Sequence, residues 1–268
     1  MNPTDDSLRV AGPTGDLSVT LAGSPGARGA VVLLHPMNTA AVVWQAVLPL
    51  LNGPAVAIDL RGHGGSGRVG PFGVEDYVAD VLAVLDELRL ETVHLAGGSL
   101  GGSISVALAA LHPERVEGVT TFGSTLGTGV PEAAIGAMVD ELTSVGASRY
   151  FTELVPAVVG PSHRDAPGLA ETVVAAAGRP ESVIEEILRA AFGADIRHLA
   201  GAVRAPVLAV GGTADPTCPP AMTREIAEAT GGSTVLLDGV GHLPMVEVPE
   251  QVAELIDNHM KTVTQEGP

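Results

Sequence analysis

The chain has 268 residues, 46% of them hydrophobic but only 3% aromatic, so a sizeable core has to be filled by Val, Leu, Ile and Ala. Its 31 acidic and 14 basic residues leave a net charge of −17, and Lys261 is the single lysine, which argues against nucleic acid and anionic membrane surfaces as partners. One cysteine, Cys218, excludes an intrachain disulfide. Met1 to Asp6 is polar and acidic, without the basic and apolar regions of a signal peptide, and no apolar stretch is long enough for a membrane span, so a cytoplasmic location is the expectation.

In chain order, residues 17–21 alternate weakly and read as an early strand. Residues 30–34 and 55–59 are short continuous apolar runs, the pattern of strands covered on both faces. Residues 74–88 carry apolar side chains at helical spacing (Tyr77, Val78, Val81, Leu82, Leu85), with acids near the start where the helix dipole favours them. A strand over 92–96 runs into Gly97-Gly98-Ser99-Leu100-Gly101-Gly102 and a helix over 103–111, followed by a strand over 116–122. From 125 to 198 strand texture gives way to helical stretches broken by Gly and Pro, among them 131–142 and 181–192. Strands return at 206–210 and 234–237, with helices over 220–229 and 250–260. Alternating strands and helices imply a mostly parallel sheet with helices on both faces, an α/β fold.

Ser99 sits in a sharp strand-to-helix turn with glycine two residues before and two after, the G-x-S-x-G pattern of a nucleophile elbow. Glycine suits positions where neighbouring backbone passes too close for a Cβ, and the helix that starts there directs free N–H groups toward a developing oxyanion. Alone, the pattern also fits an ordinary Gly-rich turn. A serine nucleophile needs a base, and the base an orienting acid. His242 follows the last strand in Gly241-His242-Leu243-Pro244, and Asp215 follows the preceding one in Ala214-Asp215-Pro216. Taken singly, Asp215 could cap the next helix and His242 could be a loop residue. Together all three stand at carboxyl ends of strands and converge on one sheet edge.

Two backbone donors are needed for an oxyanion hole. Leu100 follows the serine; Pro36 has no N–H, so Met37 is the second, and the Asn38 side chain offers a further donor. His35 and His63 face the same edge and read as structural or supporting residues. Trp44 reads as core.

These residues resemble the α/β-hydrolase superfamily across nearly the whole chain. The resemblance rests on Leu34-His35-Pro36-Met37, Asp59-Leu60-Arg61-Gly62-His63-Gly64, Gly97-Gly98-Ser99-Leu100-Gly101, His112-Pro113-Glu114-Arg115-Val116, Ala214-Asp215-Pro216 and Gly241-His242. Within it the chain is most similar to 3-oxoadipate enol-lactonases, through Arg149-Tyr150-Phe151, Asp195-Ile196-Arg197 before Ala205-Pro206-Val207-Leu208, and Asp215-Pro216-Thr217-Cys218-Pro219-Pro220. Most relatives carry His-Gly or Asn-Ser where this chain has His35-Pro36. The resemblance implies an α/β-hydrolase core over 1–124 and 199–268, with a helical cap over 125–198 inserted after the sixth strand. It implies hydrolysis of an ester or lactone bond in a small-molecule substrate, with no cofactor and no metal. Ser99, Asp215 and His242 are the expected triad, Met37 and Leu100 the oxyanion donors, and His35, Asn38 and Arg149 the candidate substrate contacts. C–C bond hydrolysis or perhydrolysis on the same triad, and a non-catalytic ligand-binding protein on the same fold, are the alternatives. Nothing in the sequence bears on oligomeric state.

Overall fold

The computed structural model describes residues 7–166 and 168–265. The segment Met1 to Asp6, on which the signal-peptide expectation rests, lies outside them. Eight strands form one sheet: β1 (Ser7–Gly12), β2 (Gly15–Ala22), β3 (Ala30–Leu34), β4 (Ala55–Ile58), β5 (Val93–Gly98), β6 (Val116–Phe122), β7 (Val207–Gly212) and β8 (Ser233–Leu237), in the order β1-β2-β4-β3-β5-β6-β7-β8. Only the β1–β2 and β2–β4 pairings are antiparallel; from β4 to β8 the sheet is parallel. The helices are α1 (Val74–Glu87), α2 (Leu100–Leu111), α3 (Glu132–Val145), α4 (Ala147–Val158), α5 (Leu169–Ala177), α6 (Glu181–Gly193), α7 (Arg197–Ala200), α8 (Pro220–Thr230), α9 (Pro244–Glu247) and α10 (Pro249–Gln265).

Pleating splits the continuous apolar runs between two cores. Val32 and Leu34 of β3 and Val56 and Ile58 of β4 bury on one face, with Tyr77 and Val81 of α1, Ile104 of α2 and Ile226 of α8. Their neighbours Val31, Leu33, Ala55 and Ala57 bury on the other face, with Trp44, Val252 and Ile256 of α10, and the inner sides of α3 to α6. Trp44 is fully buried and meets Phe122 edge to face, as a core residue does.

Register brings the carboxyl ends together. Leu34 pairs with Gly97, Gly97 with Thr121, Phe122 with Val210 and Gly212 with Leu237. The loops after β3, β5, β7 and β8 therefore open on the same edge, where ligands bind in sheets of this kind. Helices α3 to α6 lie between β6 and β7 in the chain and roof that edge. Two of them, α4 and α5, and the edge strand β1 are additions to the elements expected from the sequence. No described helix is long and apolar enough to cross a membrane.

Candidate active site

Ser99 takes φ 49° and ψ −116°, a left-handed conformation that a side chain rarely adopts. The turn is held by the Ser99 N–H, which donates to Phe122 O at 2.8 Å. A Cβ at Gly97 would strike the Gly101 carbonyl, and one at Gly101 would strike Leu34, so no larger residue fits either side of the serine. The local sequence thus forces the Ser99 hydroxyl outward into a cavity of about 510 Å³.

His242 Nε2 lies 3.1 Å from Ser99 Oγ, and His242 Nδ1 lies 2.9 Å from Asp215 Oδ2. The other carboxylate oxygen, Oδ1, accepts from the N–H groups of Thr217 at 2.8 Å and Cys218 at 2.9 Å. These two bonds lock the Asp215 carboxylate, and Asp215 then fixes the ring so that Nδ1 carries the hydrogen and Nε2 faces the serine as an acceptor. Space for this relay exists because residue 123 is glycine: a Cβ there would stand 3.0 Å from Asp215 Oδ2 and 3.3 Å from His242 Nδ1.

Met37 and Leu100 both line the cavity beside Ser99. Neither main-chain N–H has an acceptor among the described residues, which is what an oxyanion site requires. The peptide bond into Pro36 is trans. Asn38, at φ 58°, also lines the cavity; its N–H donates to His63 Nε2 at 3.1 Å, and its Oδ1 accepts from Arg179 Nη2 at 2.7 Å.

Two expected substrate contacts are corrected. His35 is fully buried behind the loop, its Nε2 accepting from the Leu60 N–H at 2.9 Å and its Nδ1 2.7 Å from Pro36 O, and it does not reach the cavity. Arg149 points outward, pairing with Glu153 at 2.8 Å with 69% of its side chain exposed. A Glu four residues along the same helix was the available signal for that surface pair. Burial pushes the His35 ring down to about 4, and His63 well below the ordinary histidine value, so both are neutral acceptors supporting backbone N–H groups.

Sequence reasoning missed Glu247. Its carboxylate is buried and accepts from Gly160 and Gly241 N–H at 2.8 Å each on Oε2, and from Leu243 N–H at 2.9 Å on Oε1. His163 Nδ1 approaches Oε2 to 3.5 Å. Glu247 therefore holds both sides of His242 and ties that loop to the end of α4; His242 N–H adds a bond to Val158 O at 2.8 Å. The only sequence signal is an acid in the otherwise apolar run 243–248. Among the described residues, no group of three or more His, Cys, Asp or Glu side chains could hold a metal ion.

A doubly flanked parallel sheet with a serine elbow, and a histidine and an aspartate after the last two strands, define a class. Residues 31–255 match the model of the alpha/beta hydrolase family, and the chain belongs to that family. It is similar to a pimeloyl-[acyl-carrier protein] methyl ester esterase of Neisseria meningitidis, 31% identical over 259 residues, covering 90% of this chain and 80% of that protein. It is also similar to 3-oxoadipate enol-lactonase 2 of Acinetobacter baylyi, 28% identical over 249 residues, covering 87% and 89%. Among solved structures, the enol-lactonase from Burkholderia xenovorans LB400 superposes with a TM-score of 0.87 at 24% identity over 95% of this chain and all of that one, a likeness of fold.

Proposed function

We propose that the chain is a serine hydrolase of small-molecule esters or lactones, with Ser99 as nucleophile, His242 as base and Asp215 as its orienting acid. The observation that carries this is the unbroken hydrogen-bonded line from Asp215 through His242 to Ser99 Oγ, ending in a cavity. Similarity to proteins named as an ester esterase and an enol-lactonase supports ester-bond chemistry.

The reaction runs in two halves. Ser99 Oγ attacks the carbonyl carbon as its proton passes to His242 Nε2. The Met37 and Leu100 N–H groups receive the negative charge that collects on the carbonyl oxygen. As the tetrahedral species collapses, the bond to the leaving oxygen breaks and His242 returns the proton to it, leaving an acyl group on Ser99. Water then repeats the sequence, losing a proton to His242 and releasing the carboxylic acid. The segment 125–198 serves as the cap that closes the cavity over the serine.

Intact mass after exposure to a fluorophosphonate tests the reading. One adduct on the wild type, absent from Ser99→Ala, is the expected result. A wild type that stays unlabelled and turns over none of a panel of esters, lactones and C–C substrates would overturn it in favour of a binding protein.

A further inference from the structure

We infer that the cavity selects an uncharged ester or lactone with an apolar acyl chain and turns away substrates that carry a free carboxylate. This rests on the hydrolase reading above and adds the chemical class of its substrate.

The argument starts from the charges on the walls. Glu141 is the only Asp, Glu, Lys or Arg among the described residues that line the cavity. Glu141 is exposed, and it makes no ion pair among the described residues. Beside it, the Tyr150 phenol is raised, first by burial and then by the Glu141 charge, so it stays a neutral hydroxyl. No arginine or lysine lines the cavity.

That lack of cations is not a shortage in the cap, which carries five arginines. Arg149 pairs with Glu153 at 2.8 Å, Arg189 with Glu132 at 2.8 Å and Glu185 at 3.1 Å, and Arg197 with Asp195 at 2.8 Å and Glu225 at 2.5 Å. Arg164 is exposed and outside the cavity wall. Arg179 is buried and gives its donors to Asn38 Oδ1, Ala176 O and Gly62 O, behind the cavity rather than in it. None of the five cap arginines is therefore among the lining side chains.

The rest of the wall is suited to hydrocarbon. Met138, Phe151, Leu154, Leu188 and Phe192 are among the apolar side chains that line the cavity. Each methylene buried there gains about fourfold in binding. A carboxylate at the far end of the chain would be stripped of water with no cation to meet it, and would feel Glu141 as a like charge. An unpaired buried carboxylate is among the costliest groups to bind.

Two esters of equal chain length separate the possibilities: ethyl octanoate, and monoethyl octanedioate, which differs only by its terminal carboxylate. Calorimetric binding to Ser99→Ala reads the cavity without turnover, and kcat/KM of the wild type reads it with turnover. The neutral ester is expected to bind at least about 50-fold tighter and to be hydrolysed with the same preference. Glu141→Arg supplies a cation at the wall and is expected to recover at least about tenfold of the monoacid's affinity. Equal affinities, a preference for the monoacid, or failure of the neutral ester to bind would overturn the inference while leaving serine labelling untouched. A binding preference with no hydrolysis of either ester, no turnover of the wider panel and no serine labelling would overturn the hydrolase reading and leave the cavity's selectivity in place.

Discussion

Arg179 Nη2 donates to Asn38 Oδ1 at 2.7 Å, joining the segment between β6 and β7 to the loop after β3 across 141 residues of chain. Among the described residues Arg179 has no carboxylate partner: its other bonds go to Ala176 O and Gly62 O, and burial pushes the guanidinium down to about 10. A guanidinium only donates, so the Asn38 oxygen must face it. The Asn38 NH₂, with no protein partner among the described residues, is left for the cavity that Asn38 lines. If Met37 and Leu100 are the oxyanion donors proposed above, Arg179 orients the Asn38 amide as a further donor in the same cavity. Asn38→Ala and Arg179→Met are each expected to lower kcat/KM by about tenfold, ~1.4 kcal/mol of barrier. The double variant should be no worse than Asn38→Ala alone, because Arg179 acts through that amide. Additive losses would refute the coupling.

Asp215→Asn tests the relay more sharply than removal of the side chain. The Asn oxygen can keep the two bonds from Thr217 and Cys218 N–H, so the loop stays in place. Its NH₂ then points at His242 Nδ1, which must accept, moving the ring hydrogen to Nε2 where it can no longer take the Ser99 proton. A loss of about 10³–10⁴ in kcat with unchanged thermal stability is expected, the wrong-tautomer effect. Ser99→Ala and His242→Ala should lose at least as much. A kcat for Asp215→Asn within tenfold of wild type would remove Asp215 from the mechanism.

How far the sequence foretold this site depended on the kind of partner each residue has. The strand at 30–34 was legible to the residue because Gly29 and His35-Pro36 bound a purely apolar run. The elbow was legible because close backbone packing admits only glycine at 97 and 101. Edge strand β1 was not, since only Val10 of it is buried and no continuous apolar run marks it. Pro156 inside α4 masked a helix whose buried residues, Ala147, Phe151 and Val155, do keep the i, i+4 spacing. The bonds that Arg179 and Glu247 make were not legible, for a different reason. Their partners are largely main-chain carbonyls and N–H groups, which every sequence supplies and no motif records.

Glu247 is expected to set the position of His242. Glu247→Gln keeps the size but leaves one acceptor oxygen for three N–H groups, and turns its NH₂ toward at least one of them. Losing charge-assisted bonds of this kind costs about 1.5–3 kcal/mol each. The expected outcome is a melting temperature lower by several degrees together with a fall in kcat larger than any change in KM, measured on the same preparation. A stability loss without the kcat loss would make Glu247 a fold residue only.

The buried histidines give stability a direction with pH. Burial holds His35 at about 4, His94 at about 3 and His63 well below its ordinary value, with His94 also facing His259, itself lowered to about 4. Below about 6.5 the unfolded chain takes up protons on these rings while the folded chain does not, so stability falls as pH drops. Each fully buried ring contributes about 1.4 kcal/mol per pH unit below that point, down to its own folded value, about 4 for His35 and about 3 for His94. The stability is complete above pH 6.5, and raising the pH further adds nothing from these groups. In His63 the proton would also displace the Asn38 N–H from Nε2 and disturb the loop after β3. Melting temperature measured from pH 7.5 to 4.5 should be level to about 6.5 and then descend, with a shallower descent in His94→Gln. A curve that stays level to pH 4.5 would mean that these rings are protonated or solvated in the folded protein, contrary to their burial and to the backbone N–H bonds that His35 and His63 accept.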